Sequence, residues 1–138
     1  LTRTFFSLLG DQMADRMLRV MARRDGRWIA GALNLIGGDC LYGRHWGCVE
    51  DVPFLHFELC YYQAIEWAID KGLARVEAGA QGQHKIARGY LPAPVFSAHH
   101  IADPRLRGPV DDFVRREREA VNGEMEWLAE EYSPFRQG

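Results

Sequence analysis

Two basic residues three positions apart, Lys85 and Arg88, follow a glycine-bearing turn, and this spacing places them on one face of a short helix. Beside free amide N–H groups at a helix start, two such cations bind a phosphate or polarise a carbonyl oxygen. Of the 17 Lys and Arg residues only Lys71 and Lys85 are lysines, so Lys85 is an unusual choice in this chain. The turn adds Gln81 and Gly82 as substrate-binding candidates. The alternative is that both cations are solvated helix charges.

Candidates for proton transfer lie in the same part of the chain. Glu77 falls near the end of a predicted strand, and His84 adjoins the turn that follows. A neutral imidazole accepts a proton from an amine near neutral pH, as acyl transfer to an amine requires. His99 and His100 face opposite sides of a predicted strand, so only one of them reaches any one site, and we take His99 as the candidate. The alternative for each histidine is a structural or surface role.

A third candidate is the glycine-flanked stretch 42–47, which interleaves aromatic and basic side chains. Tyr42 and Trp46 have faces on which a base or sugar stacks, and Arg44 supplies a phosphate contact. The alternative is a twisted strand that turns one aromatic inward. Glu50 and Asp51 are interpreted as helix-capping carboxylates, with a general-base role for Glu50 left open.

The cysteines and histidines do not have the paired spacing of a zinc site, so no metal is predicted. Cys40, Cys48 and Cys60 are an odd number without CxxC spacing and lie in apolar surroundings. Thiols of this kind are typical of reducing compartments. The sequence therefore predicts three buried, inert thiols and a cytoplasmic protein.

Composition limits the class of protein. The chain has 138 residues, is 47% hydrophobic and 26% charged, and carries a net charge of −2. These values predict one globular domain over residues 1–138 and give no bulk signature of nucleic-acid binding. No segment approaches the ~18 consecutive apolar residues of a membrane helix, so no membrane span is expected.

Hydrophobic periodicity and turn signals predict the elements that position these residues. The predicted helices are 2–17, 54–71, a turn or two over 84–90, and a long helix after Pro104 that Asn122 and Gly123 are able to divide. The predicted strands are 18–24, 27–37, 40–48, 73–79 and 95–102, of which the first three form an antiparallel meander. This order predicts an α/β (α+β) fold, a mixed sheet with helices on both faces.

The order of elements resembles the acyltransferase fold of the GNAT superfamily, entered at its second helix. In that fold the fourth and fifth strands, here 40–48 and 73–79, splay apart to hold the donor acyl group. More narrowly, the run E-A-G-A-Q-G-Q-H-K-I-A-R-G-Y-L-P at 77–92 resembles the predicted N-acyltransferase family related to FemAB and the bacterial peptidoglycan-bridge enzymes, with the resemblance extending over about residues 5–120. The missing first strand and helix lead us to expect a longer protein whose N-terminal half completes the substrate groove.

The resemblance implies a cytoplasmic N-acyltransferase that moves an acyl or aminoacyl group, from acyl-CoA or charged tRNA, to an amine on a small molecule or cell-wall precursor. Lys85 matches a lysine that FemAB relatives carry near the donor carbonyl. The usual CoA loop is not present, because residues 49–53 read V-E-D-V-P, with two carboxylates and a proline. We therefore expect weak CoA binding and no resident cofactor. The alternative function is a non-catalytic GNAT-fold module that binds or scaffolds a phosphate-bearing ligand.

Overall fold

The computed structural model describes residues 1–79 and 83–132. Its internal contacts divide the chain into two compact units, Leu1–Gly79 and Ala80–Gly138, which are described separately. The first unit contains a four-stranded sheet with helices, and the second contains a short 3-10 helix and one long α-helix. This is the mixed α+β fold that the sequence predicts.

The sheet begins with the predicted antiparallel meander. Its strands are β1 (Met17–Arg24), β2 (Arg27–Gly37) and β3 (Cys40–Cys48). Asp25 and Gly26 both have positive φ, 49° and 81°, which is the backbone of a two-residue hairpin turn with the right-handed twist of the strands. A short fourth strand, β4 (Arg75–Glu77), adds to β3 in parallel, and the sheet order is β1-β2-β3-β4.

The first helix is shorter than predicted. Helix α1 (Arg3–Met13) starts at Thr2, whose side chain accepts a hydrogen bond from the Phe5 amide at 3.2 Å. A 3-10 turn, Ala14–Arg16, follows, and Met17 already belongs to β1. Met17 continues the apolar spacing of the helix but belongs to the strand, because an apolar residue fits either element. The pattern therefore overestimates the length of the helix.

The predicted central helix is present as one continuous helical segment with a wide turn inside it. It consists of α2 (Leu55–Phe57), a π-helical turn (Glu58–Tyr62) and α3 (Gln63–Asp70). The segment ends at Gly72, whose φ of 67° is the left-handed backbone of a helix C-terminus. Turns of the π type are uncommon and occur often at functional sites.

One face of the sheet packs against this central helix and forms the core. Ala30, Ala32 and Leu59 are its buried centre, and five partly buried side chains pack around them. These five are Val20, Ala22, Trp46, Leu55 and Cys60. Small residues on the strands let the helix approach closely, and removal of this apolar surface from water stabilises the layer by about 25 cal/mol per Å². The opposite face of the sheet carries α1 over part of its area.

The second unit corrects two predictions. Residues 95–102 form no strand within the described chain, and Val95 and Phe96 are largely exposed. Pro92 and Pro94 lie just before this segment and lack the N–H group that a β-ladder needs. The β-branched and aromatic residues of the segment therefore predict a strand that does not form.

Helix α4 (Pro104–Glu131) is the second correction, because it runs unbroken through Asn122 and Gly123. Its Asp103 cap accepts a hydrogen bond from the Arg105 amide at 2.9 Å. A glycine costs an α-helix about 1 kcal/mol relative to alanine, and the Glu, Ala, Met and Leu residues around it offset that cost.

Candidate functional site

Strands β3 and β4 pair over only three residues, after which their ladder stops. The parallel register joins Cys40 to Arg75, Leu41 to Val76 and Tyr42 to Glu77. Strand β3 continues for six residues beyond Tyr42, whereas β4 ends at Glu77. Among the described residues no ladder pair covers this part of β3 on the β4 side, so its backbone edge is open where the two strands part.

A β-bulge in β3 lies at the point of separation. Leu33 of β2 pairs with His45 and Asn34 pairs with Gly43, which leaves Arg44 as the extra residue. A Cβ atom on Gly43 would lie 3.4 Å from the Glu77 carbonyl oxygen and 3.7 Å from Oδ1 of Asn34. Glycine therefore allows β4 to pass close to β3 immediately before the two strands diverge.

The bulge changes which side chains of the stretch 42–47 lie together. Tyr42 pairs in register with Leu35 of β2, and His45 pairs with Leu33, two residues earlier on the same strand, so both lie on the face that carries α1. The His45 ring contacts Phe6 of α1, with 5.6 Å between ring centroids. Trp46 lies on the opposite face in the apolar core, 5.2 Å from the His56 ring.

Tyr42 and Trp46 thus lie on opposite faces of the sheet, and Arg44 is exposed at the bulge between them. Side chains 42, 44 and 46 of a regular strand would share one face, because alternate residues point the same way. The extra residue shifts this alternation by one position. The substrate-binding role of the three side chains stays a prediction, to be tested residue by residue.

The start of the central helix differs from the predicted cap. Glu50 forms an ion pair with Arg24 at 3.2 Å, and α2 begins without a side-chain cap at Phe54, whose φ is 66°. The capping role proposed for Glu50 and Asp51 is therefore wrong, because Pro53 and the left-handed Phe54 separate these carboxylates from the first helical turn. A left-handed backbone is uncommon for a bulky residue.

The amide groups at this helix start already have acceptors within the chain. The Leu55 amide donates to the Val52 carbonyl at 3.2 Å, and the Phe57 amide donates to the Phe54 carbonyl at 2.9 Å. A pyrophosphate at a helix start needs amides that point outward and are unused. These two amides are therefore not free to bind a phosphate.

Lys85 and Arg88 lie in the second unit, on a 3-10 helix over Gln83–Arg88. Lys85 is half-buried, and burial lowers the pKa of its ammonium group from the usual 10.5. Arg88 donates from Nη1 to the carbonyl oxygen of His84 at 2.6 Å, which holds the guanidinium along the same short helix. Gly89, with φ 88°, follows the last residue of the helix, and the Gly89 amide donates to the Ile86 carbonyl at 2.9 Å.

His99 lies in the exposed segment that follows. Its Nε2 is 3.0 Å from the Ser97 hydroxyl. An imidazole that contacts a hydroxyl in this way is held in one orientation but remains accessible. His100 is exposed in the same segment.

The predicted site residues thus fall into two groups, with Tyr42, Arg44, Trp46 and Glu77 in the first unit and His84, Lys85, Arg88 and His99 in the second. In the first group, register pairing brings Tyr42 and Glu77 together. In the second, the 3-10 helix brings His84, Lys85 and Arg88 together. The substrate-binding candidates Gln81 and Gly82 lie outside the described residues.

The cysteines are free thiols, but they are not all buried. Cys40 is fully buried and Cys60 is partly buried, and burial raises the pKa of the Cys60 thiol to about 11. Cys48 is exposed at the last position of β3, where the sheet edge is open, so the prediction of three buried thiols is wrong there. In the described ranges no group of three or more His, Cys, Asp or Glu side chains is arranged to hold a metal ion.

Sequence reasoning missed Arg19 and did not single out His45 within the candidate stretch 42–47. The two residues flank Leu33 in one cross-strand row on the α1 face. Arg19 was detectable as a charge that alternates with apolar residues along β1. The face on which His45 lies depends on the bulge at Arg44, which local sequence does not mark. Over the described ranges, no helix is both long and apolar enough to cross a bilayer.

Comparison with known proteins identifies the class. The model of the FemAB-like family, described as acting in peptidoglycan biosynthesis or recognition, matches residues 1–137. The chain therefore belongs to the FemAB-like family, in agreement with the resemblance of the run at 77–92. No curated protein matches the chain. No solved structure matches it either.

Proposed function

We propose that this protein is an N-acyltransferase that transfers an aminoacyl or acyl group to an amine of a cell-wall precursor. Membership of the FemAB-like family supports a role connected with peptidoglycan. The structural observation that carries the proposal is the separation of β3 and β4 after Tyr42 and Glu77. A parallel ladder that stops while one of its strands continues leaves backbone groups able to hold a planar acyl group, as in the GNAT-like fold that the element order resembles.

In the proposed reaction the acceptor amine attacks the carbonyl carbon of an aminoacyl or acyl ester. A C–N bond forms, the bond to the leaving oxygen breaks, and the amine loses one proton. The oxyanion is stabilised by open backbone amides of β3 or, in the second unit, by Lys85, and the leaving oxygen takes up the proton that the base accepted from the amine. Glu77, His84 or His99 accepts the proton of the amine, and the carboxylate of Glu77 lies where the strands part.

The helix start disfavours acyl-CoA as the donor, and we therefore propose charged tRNA, the other donor that the family resemblance implies. Glu50 and Asp51 place negative charge beside the position of a CoA pyrophosphate, and Pro53 has no amide hydrogen to offer. The nearby amides of Leu55 and Phe57 are already used. We place the reaction in the cytoplasm, where Cys40, Cys48 and Cys60 remain free thiols.

The experiment is a transfer assay with donors compared side by side. The protein is incubated with aminoacyl-tRNA or acyl-CoA and with amine-bearing muropeptide precursors, and products are identified by mass spectrometry. We expect a new amide with the tRNA donor and no saturable acetyl-CoA binding by calorimetry. Binding of donor and acceptor without any amide product would instead favour a non-catalytic module for phosphate-bearing ligands.

A further inference from the structure

A second site lies within the first unit, away from the separation of β3 and β4. Helix α1 covers only part of the sheet face opposite the core and leaves a groove with two connected parts, about 580 Å³ and about 410 Å³. Phe6, Gly10, Met17 and Arg19 line both parts, so the two form one continuous depression. Each part lies within the range of about 300–1,000 Å³ typical of small-molecule sites.

Two cross-strand rows form the floor of this groove. In the first, Leu33 lies between Arg19 and His45. Neighbouring Cβ atoms across a sheet are about 5 Å apart, so the two polar side chains are separated by roughly 10 Å with an apolar residue between them.

The second row is almost flat. It contains Met21, Gly31 and Gly47. A Cβ on Gly31 would lie 2.7 Å from Sδ of Met21, so the methionine lies across that glycine. Nothing lies within 4 Å of the corresponding position on Gly47, and the floor there is open.

The first row ends in a nitrogen-bearing side chain on each side, the guanidinium of Arg19 and the imidazole of His45. Arg3 of α1 lines the same part of the groove as Arg19, and His45 lines the other part. No ion pair within the described part of the chain involves Arg3 or Arg19, whereas five other arginines form such pairs. Asp11 and Ser7 line the Arg3 part as well and offer acceptors for a hydroxyl or an amine.

We propose that this groove binds a small organic molecule through its carboxylate or phosphate, with Arg19 and Arg3 contacting the oxyanion and the carbon framework lying over Leu33, Met21 and Gly47. Arginine is suited to this task because its planar fork donates two parallel hydrogen bonds to either oxyanion. The apolar floor contributes contact area that an inorganic ion cannot use. A molecule with both an oxyanion and an apolar framework should therefore bind more tightly than a molecule with only one of them.

The same face bears Tyr42 and, through its register pair, Glu77. A carbon framework that runs from Arg19 over Leu33 to Gly47 crosses the sheet toward the open edge of β3. The suggestion that the bound molecule is the acceptor rests on the proposed transfer reaction. The binding of an organic oxyanion in the groove does not depend on that reaction.

The test is a titration of the ¹⁵N-labelled protein with phenyl phosphate and benzoate, and in separate arms with inorganic phosphate and benzyl alcohol. We expect saturable shifts of the Arg19, Gly31 and Gly47 amides with one or both aromatic anions. Benzyl alcohol should give none, and inorganic phosphate should bind at least about tenfold more weakly than phenyl phosphate because it cannot use the floor. Preference between the two aromatic anions identifies the oxyanion.

Two variants and one control locate the binding. Arg19→Gln should lower the affinity for the aromatic anion about tenfold or more, because a charge-assisted pair is lost. Gly47→Val should lower that affinity by a similar factor, because its side chain occupies the open floor while the charges stay in place. Arg23→Gln is the matched control, because Arg23 lies on the same strand but outside the groove, 5.7 Å above the Trp28 ring. It should change the affinity less than twofold.

Equal effects of Arg19→Gln and Arg23→Gln would overturn the site, because the anion would then respond only to net charge. Shifts that map elsewhere, or no saturable shifts with any probe, would overturn it too. The transfer assay separates this inference from the proposed function. If the protein binds the anions in the groove but forms no amide, the binding site is supported and the transferase role is contradicted. If the protein is active and Arg19→Gln leaves the acceptor KM unchanged, the groove is not the acceptor site.

Discussion

Tyr42 and Glu77 are the last register pair of the parallel β3–β4 ladder, and beyond them the two strands part. Glu77 is exposed there, so its carboxylate is accessible to a substrate between the strands. Glu77 makes no ion pair among those found in the described ranges. In the proposed reaction its carboxylate accepts the proton of the amine.

Glu77→Gln is therefore expected to lower the transfer rate by about 10²–10⁴-fold, the usual contribution of a general base. The free energy of unfolding should change by less than about 0.5 kcal/mol, as for other exposed substitutions. Steady-state kinetics and urea denaturation measure the two quantities. Glu66→Gln on α3 is the control, since it removes another exposed carboxylate and should leave the rate unchanged. If Glu77→Gln had full activity, Glu77 would not be the general base, and a histidine would accept the proton of the amine instead.

A second prediction concerns the close approach of β4 at Gly43. The three nearest atoms to a Cβ there are 3.4–3.8 Å away, two of them in the β4 segment, so an added methyl makes ordinary contact and a branched side chain does not fit. Gly43→Ala should cost less than about 1 kcal/mol, and Gly43→Val should cost about 1–3 kcal/mol through overpacking. Gly47→Val is the control on the same strand, because nothing lies within 4 Å of its Cβ position.

Thermal and urea unfolding of the three variants give the comparison. Hydrogen exchange of the β4 amides adds a local measure, because Gly43→Val should loosen the three-residue ladder before it unfolds the meander. If Gly43→Val and Gly47→Val had equal stability, the close approach of the strands would have no energetic consequence.

Most of the first unit is predictable from sequence because its signals are local. The Asp25–Gly26 turn and the alternation around it define β1 and β2, and the apolar stripe of 54–71 defines the central helix. The resemblance of the run at 77–92 is likewise a local pattern, and the family match supports it.

The remaining features depend on contacts that a local pattern does not record. The bulge at Arg44 arises from how β3 pairs with β2, and it decides that His45 and Trp46 contact different layers. The π turn at Glu58–Tyr62 has the same apolar content as an ordinary helix. Residues 95–102 have strand-like composition, but a strand also needs a partner with free ladder groups, which composition does not provide.

The cysteines give a third prediction, which depends on their different burial. Cys48 is exposed, Cys40 is fully buried, and the pKa of Cys60 is raised to about 11 by desolvation. At pH 8 only about one Cys60 side chain in a thousand is then a thiolate, which is the reactive form. In the native protein a thiol reagent should label Cys48 rapidly and the other two slowly.

Labelling is followed by the absorbance of the released chromophore and by peptide mass spectrometry. Denaturant should bring the total to three thiols, and Cys48→Ser should abolish the fast phase. Because the pKa of Cys60 is raised, its labelling rate should increase as pH rises toward 11, while that of a fully buried Cys40 follows unfolding. Fast labelling of Cys60 at pH 8 would contradict the desolvation of this thiol. Transfer activity should survive modification of Cys48, since the proposed reaction needs no covalent enzyme intermediate.

The last prediction tests Lys85 against the only other lysine of the chain. Lys85 is half-buried on the 3-10 helix, whereas Lys71 is exposed and pairs with Asp70 at 2.8 Å. If the Lys85 ammonium stabilises the oxyanion, Lys85→Ala should lower the transfer rate by about 10²–10³-fold, as loss of one oxyanion donor does elsewhere. Lys71→Ala should leave the rate unchanged, and both variants should retain the native circular dichroism spectrum.

The pH profile distinguishes this role from a structural one. Burial lowers the pKa of Lys85 below 10.5, so its positive charge, and with it the activity, should be lost at a lower pH than for an exposed lysine. Lys85→Arg keeps the charge at every accessible pH, because arginine does not deprotonate in proteins. It should therefore recover part of the activity lost in Lys85→Ala and move the alkaline limb of the profile to higher pH. If Lys85→Arg had the same alkaline limb as the unmodified protein, another group would titrate there, and Lys85 would have no part in stabilising the oxyanion.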